Sequence, residues 1–203
     1  MKQIYTILAI ALGAFYSCGS PQSDNNAEAS SPAKTLETIM SRKSVRQYSG
    51  ESVTEAQTET LLQAAMAAPS GIDVRPWRFI VVTDPEVKAA LGGQPMYKSC
   101  SVLIVVCGQT EMTDREGNLR ENHNWTADCA AATENILLAA EALGLGAVWT
   151  ACYPYENRMN ITREVLGIPE GITPYSVIPV GHPAGETPVK DKWNPDNIHY
   201  NKW

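Results

Sequence analysis

The segment Ser41-Arg42-Lys43-Ser44-Val45-Arg46 sets three fixed positive charges and two hydroxyls beside one another. Burying such charges is costly unless an anion neutralises them. Forked guanidinium donors, a point-charge ammonium and small hydroxyls together suit a phosphate dianion. A basic triplet alone reads more readily as the solvated end of a short helix, so its meaning depends on its company. Three further segments supply that company. Ala68 to Trp77 holds Pro69, Ser70, Gly71, Asp73 and Arg75. Gly144-Leu-Gly146 leads into Trp149, Thr150 and Ala151. The tail carries Lys190-Asp-Lys192 and then His199-Tyr-Asn-Lys-Trp203. By themselves Lys190 and Lys192 read as surface lysines, Trp149 as core and Pro69 as a helix stop. No Ser/His or Cys/His constellation is present.

The elements that must carry these segments follow from pattern. An amphipathic helix is predicted from Lys34 to about Arg42, with Leu36, Ile39 and Met40 on one face. Thr54-Glu-Ala-Gln57 is a capping box opening a second helix, which Pro69 stops. Phe79–Thr83 is a short β-branched strand, and Asp84-Pro85 caps a helix that ends at Gly92-Gly93. Ser101–Cys107 is apolar throughout, as a strand covered on both faces must be. Met112 to Asn124 is polar and rich in turn residues, an exposed excursion. The longest helix is predicted over Trp125–Leu143. Its only charges are Asp128, Glu134 and Glu141, so most of its sides are expected to be buried. A strand over Ala147–Trp149, a helix near Met159–Leu166 and a last strand over Tyr175–Gly181 complete an α+β layout, a central sheet with helices on its faces. The Gly144-x-Gly146 pair is not a dinucleotide fingerprint, because its glycines follow a helix and precede a strand.

Residues 1–18 read as an export signal. Lys2 flanks an apolar run too short for a permanent span, and small residues lead to Cys18. This pattern resembles the lipoprotein signals of bacteria, in which the cysteine is lipidated; a plain cleaved secretory peptide is the alternative. Residues 19–33 are Ser, Asn, Pro, Gln and Ala with little to bury, a flexible tether. The expected location is the cell envelope, with the membrane reached by the lipid anchor alone. Residues 34–203 fit one domain. A formal net charge of −6 without a basic stripe argues against nucleic acid as a partner. Cys100, Cys107, Cys129 and Cys152 lack metal-ligand spacing and His123, His182 and His199 are scattered, so no metal site is expected.

The order of the four segments resembles the nitroreductase family of flavin enzymes across essentially all of residues 34–203. The family pattern Arg-Arg/Lys-Ser-x-Arg stands here as Arg42 to Arg46, and Ala-Pro-Ser-x-x-Asn-x-Gln-Pro-Trp as Ala68 to Trp77. Gly-Leu-Gly-x-x-Trp stands as Gly144 to Trp149, and the lysine pair with its aromatic tail as Lys190 to Trp203. The resemblance implies a nitroreductase-like α+β fold with a central mixed sheet, and a homodimer with FMN at two interface sites. It implies that Arg42 and Lys192 hold the FMN phosphate with Ser44 and Lys190 nearby. Lys43 or Arg46 would lie at the N1–O2 edge, where a cation favours the reduced, anionic ring. Pro69, Ser70 and Gly71 would come from the partner subunit. Trp149, Thr150 and Ala151 would offer backbone contacts near N5. Asp73 and Arg75 depart from the family's Asn and Gln. A carboxylate only accepts hydrogen bonds where an amide also donates, so Asp73 is expected to pair with Arg75 or another cation.

The implied activity is an FMN-dependent oxidoreductase working by ping-pong exchange, from NAD(P)H or another donor to an electron-poor acceptor such as a nitroaromatic or quinone. Two alternatives remain open at this point: a non-catalytic flavin-binding envelope lipoprotein, and a specialised branch that performs reductive dehalogenation or flavin fragmentation.

Overall fold

The computed structural model describes residues 32–203; the predicted signal with Cys18 and residues 19–31 lie outside the described residues. Helix α1 (Pro32–Ser41) starts two residues before its expected first residue, since a proline is tolerated in a first helical turn. Helix α2 (Glu55–Met66) opens on the capping box as predicted. Gln57 N–H donates to Thr54 Oγ1 at 3.1 Å, and Thr54 N–H donates to Gln57 Oε1 at 2.9 Å. Asp84 caps α3 (Pro85–Ala90) by accepting from the N–H groups of Glu86 and Val87 at 2.7 and 3.2 Å. A short α4 (Pro95–Ser99) follows.

Strand β1 (Trp77–Val82) pairs with β2 (Val102–Gln109), which carries the core between two layers. Its side chains alternate. Val102, Ile104 and Val106 join a cluster with Leu61, Trp125, Ile136 and Ile178 under α2 and α5 (Trp125–Ala142). Leu103, Val105 and Cys107 join a second cluster with Leu91, Tyr97, Ile168 and Val177 under α3, α4 and α6 (Glu156–Leu166). A strand buried on both faces must be apolar at every position, which is why this run lacks a polar alternate. The excursion is a hairpin of β3 (Glu111–Thr113) and β4 (Leu119–Glu121). Asp114 folds its turn by accepting from the N–H groups of Glu116 and Asn118 at 3.0 and 2.8 Å.

The long helix ends at Ala142, and the strand expected after it is split. β5 (Gly146–Ala147) and β6 (Thr150–Ala151) each pair with β7 (Ile172–Gly181), but Val148 and Trp149 do not. In that register Val148 faces Pro179, which has no N–H to donate. The Pro179 carbonyl is taken by the Tyr48 hydroxyl at 3.0 Å. Helix α6 begins earlier than expected, at Glu156. The main sheet runs β1-β2-β7-β5, with β6 also on β7, and its strands pair antiparallel. The parallel component expected of a mixed sheet is, among the described residues, the bridge between Ser44 and Ala147.

Candidate functional site

That bridge joins the first and third segments. Val45 N–H donates to the Ala147 carbonyl at 3.0 Å, seating residues 44–46 beside β5. The approach is close: a Cβ on Gly146 would stand 2.6 Å from Val45 Cγ1 and 2.7 Å from Val45 Cβ. Gly146 is therefore needed for space. The start of the tail lies along the same edge. Ser49 N–H donates to the His182 carbonyl at 2.9 Å, and Ala184 N–H donates to the Gln47 carbonyl at 3.0 Å. Ser44, Arg46, Gln47, Gly185, Glu186 and Thr187 line a cleft of about 220 Å³ there. Three stretches far apart in sequence thus form one edge that carries cations and hydroxyls.

The cations differ in what they touch. Lys43 Nζ is bound by both Glu141 oxygens at 2.8 and 3.1 Å, and Arg42 Nε stands 3.2 Å from Glu134 Oε1. Arg46 is exposed, donates to its neighbour Ser44's carbonyl at 3.3 Å and has no ion-pair partner among the described residues. Of the two residues considered for the flavin N1–O2 edge, Arg46 is thus the one with an unneutralised charge. Ser44 is half-buried between them. Sequence reasoning missed Glu134 and Glu141 as partners. The signal was there, since acids seven residues apart on a largely apolar helix share one face and match the adjacent Arg42-Lys43 pair.

The second segment lies elsewhere on α5. Gly71 N–H donates to Asp128 Oδ1 at 2.9 Å, and Arg75 N–H donates to Ser70 Oγ at 3.0 Å. Asp128 is buried, and among the described residues its Oδ2 has no hydrogen-bond partner. Ile72, Asp73 and Arg75 all have positive φ (47°, 61° and 51°), conformations that non-glycine residues rarely adopt. The expected Asp73–Arg75 pair is present as a fork: Arg75 Nε to Oδ1 at 2.6 Å and Nη2 to Oδ2 at 2.7 Å. The Arg75 hydrogen bond holds the exposed Asp73 carboxyl below its ordinary value. Asp128 and Glu141, the anchors of the second and first segments, are thirteen residues apart on one helix, about 20 Å at 1.5 Å per residue. Within one protomer the two segments therefore do not meet at a single point.

Trp149 packs on Tyr175 with centroids 5.7 Å apart, in a group with Trp125 and Tyr153. Thr150 Oγ1 donates to the Val177 carbonyl and receives the Tyr97 hydroxyl at 2.6 Å. With both side chains engaged inside the protein, residues 149–151 offer a ligand mainly their backbone. Pro69 is exposed beside Ser70. Lys190 and Lys192 are exposed, and among the described residues no hydrogen bond or ion pair joins them to Arg42–Arg46. The tail beyond them holds Trp193, Tyr200 and Trp203 in solvent at 74, 82 and 100% exposure. All four cysteines of the domain are free and buried.

A two-layered helix cover on an antiparallel sheet, with a cation-bearing edge built from residues 44–49, 146–147 and 182–187, defines the class. The sequence pattern of the nitroreductase family matches residues 39–94 and 88–182. The chain belongs to the nitroreductase family. It is 43% identical over 176 residues to an Archaeoglobus fulgidus protein named "Putative NADH dehydrogenase/NAD(P)H nitroreductase", covering 83% of this chain and 98% of that one. A crystal structure of a Parabacteroides distasonis protein of the same name superposes with a TM-score of 0.77 at 45% identity, covering 84% of this chain and 99% of that one. An FMN-dependent nitroreductase from Clostridium difficile superposes at 0.72 with 26% identity, covering 83% and 99%.

Proposed function

We propose that the protein is an FMN-dependent oxidoreductase that passes electrons from NAD(P)H or another small donor to an electron-poor acceptor such as a nitroaromatic or quinone. The observation that carries this is the convergence of residues 44–49, 146–147 and 182–187 on one edge, in a chain of this family. The donor set suits FMN. Arg42 and Ser44, with Lys190 and Lys192 from the tail, would hold the phosphate, and Arg46 would face the pyrimidine edge of the ring. Glu134 and Glu141 hold Arg42 and Lys43 in place before any ligand arrives. Such pre-orientation lowers the entropic cost of binding. When bound, the flavin supplies the redox chemistry, which is why no side-chain acid or base is required. The chain's own part is to place a cation where negative charge grows, to present backbone at residues 149–151, and to keep Thr150 and Trp149 turned inward.

A homodimer belongs to this reading. Two features support it: the roughly 20 Å between the anchors of the first two segments, and the apolar tail rings left in solvent. Pro69, Ser70, Gly71 and Asp73 would then complete the partner's site. The domain plan is a lipoprotein signal over 1–18, a tether over 19–33 and the FMN-binding domain over 34–203, anchored at Cys18 to the cell envelope. A body outside the inner membrane is cut off from cytosolic NAD(P)H, so a different reductant would feed it there. Finding the mature protein unlipidated in the cytosol would sink that part alone. Purified protein tests the whole: it should be yellow, bleach with NADH and recolour with a nitroaromatic or a quinone. Colour without turnover would make it a flavin-binding protein instead, and colourless protein that fails to bind added FMN would refute the reading.

A further inference from the structure

Between α3, α4, α6 and strand β6 lies a second cavity, of about 180 Å³. That is the liquid volume of about six waters at ~30 Å³ each. Leu91, Ile161 and Val177 form an apolar wall. Gln94, Asn157 and Arg158 bring side-chain N–H donors, and among the described residues no aspartate or glutamate lines the cavity. Buried Cys152 donates to Thr162 Oγ1 at 3.5 Å beside it.

Arg158 is placed with unusual definition for an exposed residue. Nη1 donates to the Ala151 carbonyl at 2.9 Å, and the guanidinium carbon lies 4.6 Å from the centroid of the Tyr155 ring. Among the described residues it has no ion-pair partner. Burial pushes the Tyr97 phenol and the Cys152 thiol up, and the Arg158 charge opposes that shift at both, so the charge is felt inside the cavity. Of the five N–H donors in a guanidinium, the Ala151 contact uses one. The remainder can still bind a carboxylate through two parallel bonds.

We propose that this cavity binds a small carboxylate with a short apolar body, held by Arg158 and covered by Leu91, Ile161 and Val177. A single cation matches a monoanion. A phosphate dianion would leave one charge uncompensated and would gain nothing from the apolar wall. The site lies apart from the cation-bearing edge at Ser44 and Arg46 and touches the proposed flavin site at Ala151, whose carbonyl Arg158 holds.

The test is calorimetric titration of the purified full-length protein with butyrate, with inorganic phosphate as the contrast. Butyrate should bind one site per chain with Kd on the order of 1 mM. Arg158→Gln should weaken it at least about tenfold, or ~1.4 kcal/mol. Ile161→Asp, which sets a carboxylate in the cavity one helical turn from Arg158 and so within reach of its guanidinium, should abolish binding while far-ultraviolet circular dichroism stays that of the wild type. Arg46→Gln should leave butyrate binding unchanged. No heat with butyrate, equal binding by Arg158→Gln, or phosphate binding as tightly as butyrate in an Arg158-dependent manner would each overturn the proposal.

Discussion

Gly146→Ala separates the role of the cation-bearing edge from general stability. The added Cβ would fall 2.6 Å from Val45 Cγ1 and 2.7 Å from Val45 Cβ, against an ordinary carbon–carbon separation of about 3.5–4.0 Å. Val45 is 2% exposed and cannot swing into solvent, so its backbone has to retreat from β5 by about 1 Å. Overpacking of this kind costs about 1–3 kcal/mol. Lengthening the 3.0 Å bond from Val45 N–H to Ala147 adds about 0.5–1.5 kcal/mol. At about 2–4 °C per kcal/mol for a chain of this size, Tm of the apoprotein should fall by about 5–15 °C. Ser44 and Arg46 flank the displaced residue, so FMN affinity should fall by about tenfold or more, the equivalent of one displaced contact. Gly144→Ala is the control. Gly144 sits at φ +71° with nothing within 4 Å of a Cβ, so alanine there meets backbone strain of about 1–2 kcal/mol and no clash. Its Tm should drop while its FMN affinity stays that of the wild type. Fluorescence titration with FMN and thermal unfolding of both apoproteins decide the matter. Equal FMN affinities in the two variants, or an unshifted Tm for Gly146→Ala, would refute the close-approach argument.

Arg42→Ala should weaken FMN about 10- to 150-fold, from the loss of about 1.5–3 kcal/mol of charge-assisted contact. Lys43→Ala, whose ammonium is bound by Glu141, should change FMN affinity less than about threefold and cost about 1–3 kcal/mol of stability, because the part-buried Glu141 carboxylate loses its partner; similar titrations for both would remove Arg42 from the phosphate site. Sedimentation should show a dimer carrying two flavins, and a monomer with full flavin content would contradict the shared site. Burial pushes the Cys100 thiol up to about 11 and those of Cys107 and Cys129 up to about 12, from an ordinary value of 9.0. For a group neutral in the fold, this contribution to stability is complete below pH 9 and is lost as pH rises from 9 towards 12. Tm should therefore decline over that window, and native protein should resist iodoacetamide at pH 8; rapid alkylation at pH 8 would show the thiols to be accessible.

The sequence by itself determined the features whose physics is local. The capping box at Thr54 and Gln57, the Asp84 cap and the unbroken apolar run of β2 each follow from neighbours a few residues apart, and each formed as its residues require. The order of the four segments was enough to place the chain in its family. Tertiary structure decided what depends on which surfaces meet. It matched Arg42 with Glu134 and Lys43 with Glu141 and, among the described residues, left Arg46 without an ion pair. It set Asp128 beneath Gly71, a partner fifty-seven residues away in sequence. The split of the strand after Gly146 could not be read from residues 147–149 themselves, because its cause is the proline opposite them on β7. Gly146, legible only as part of a helix stop, proved to be a contact surface for Val45. Spacing along a chain specifies dihedral preferences and faces, whereas long-range partners are chosen by packing, and packing exists only once the layers have closed.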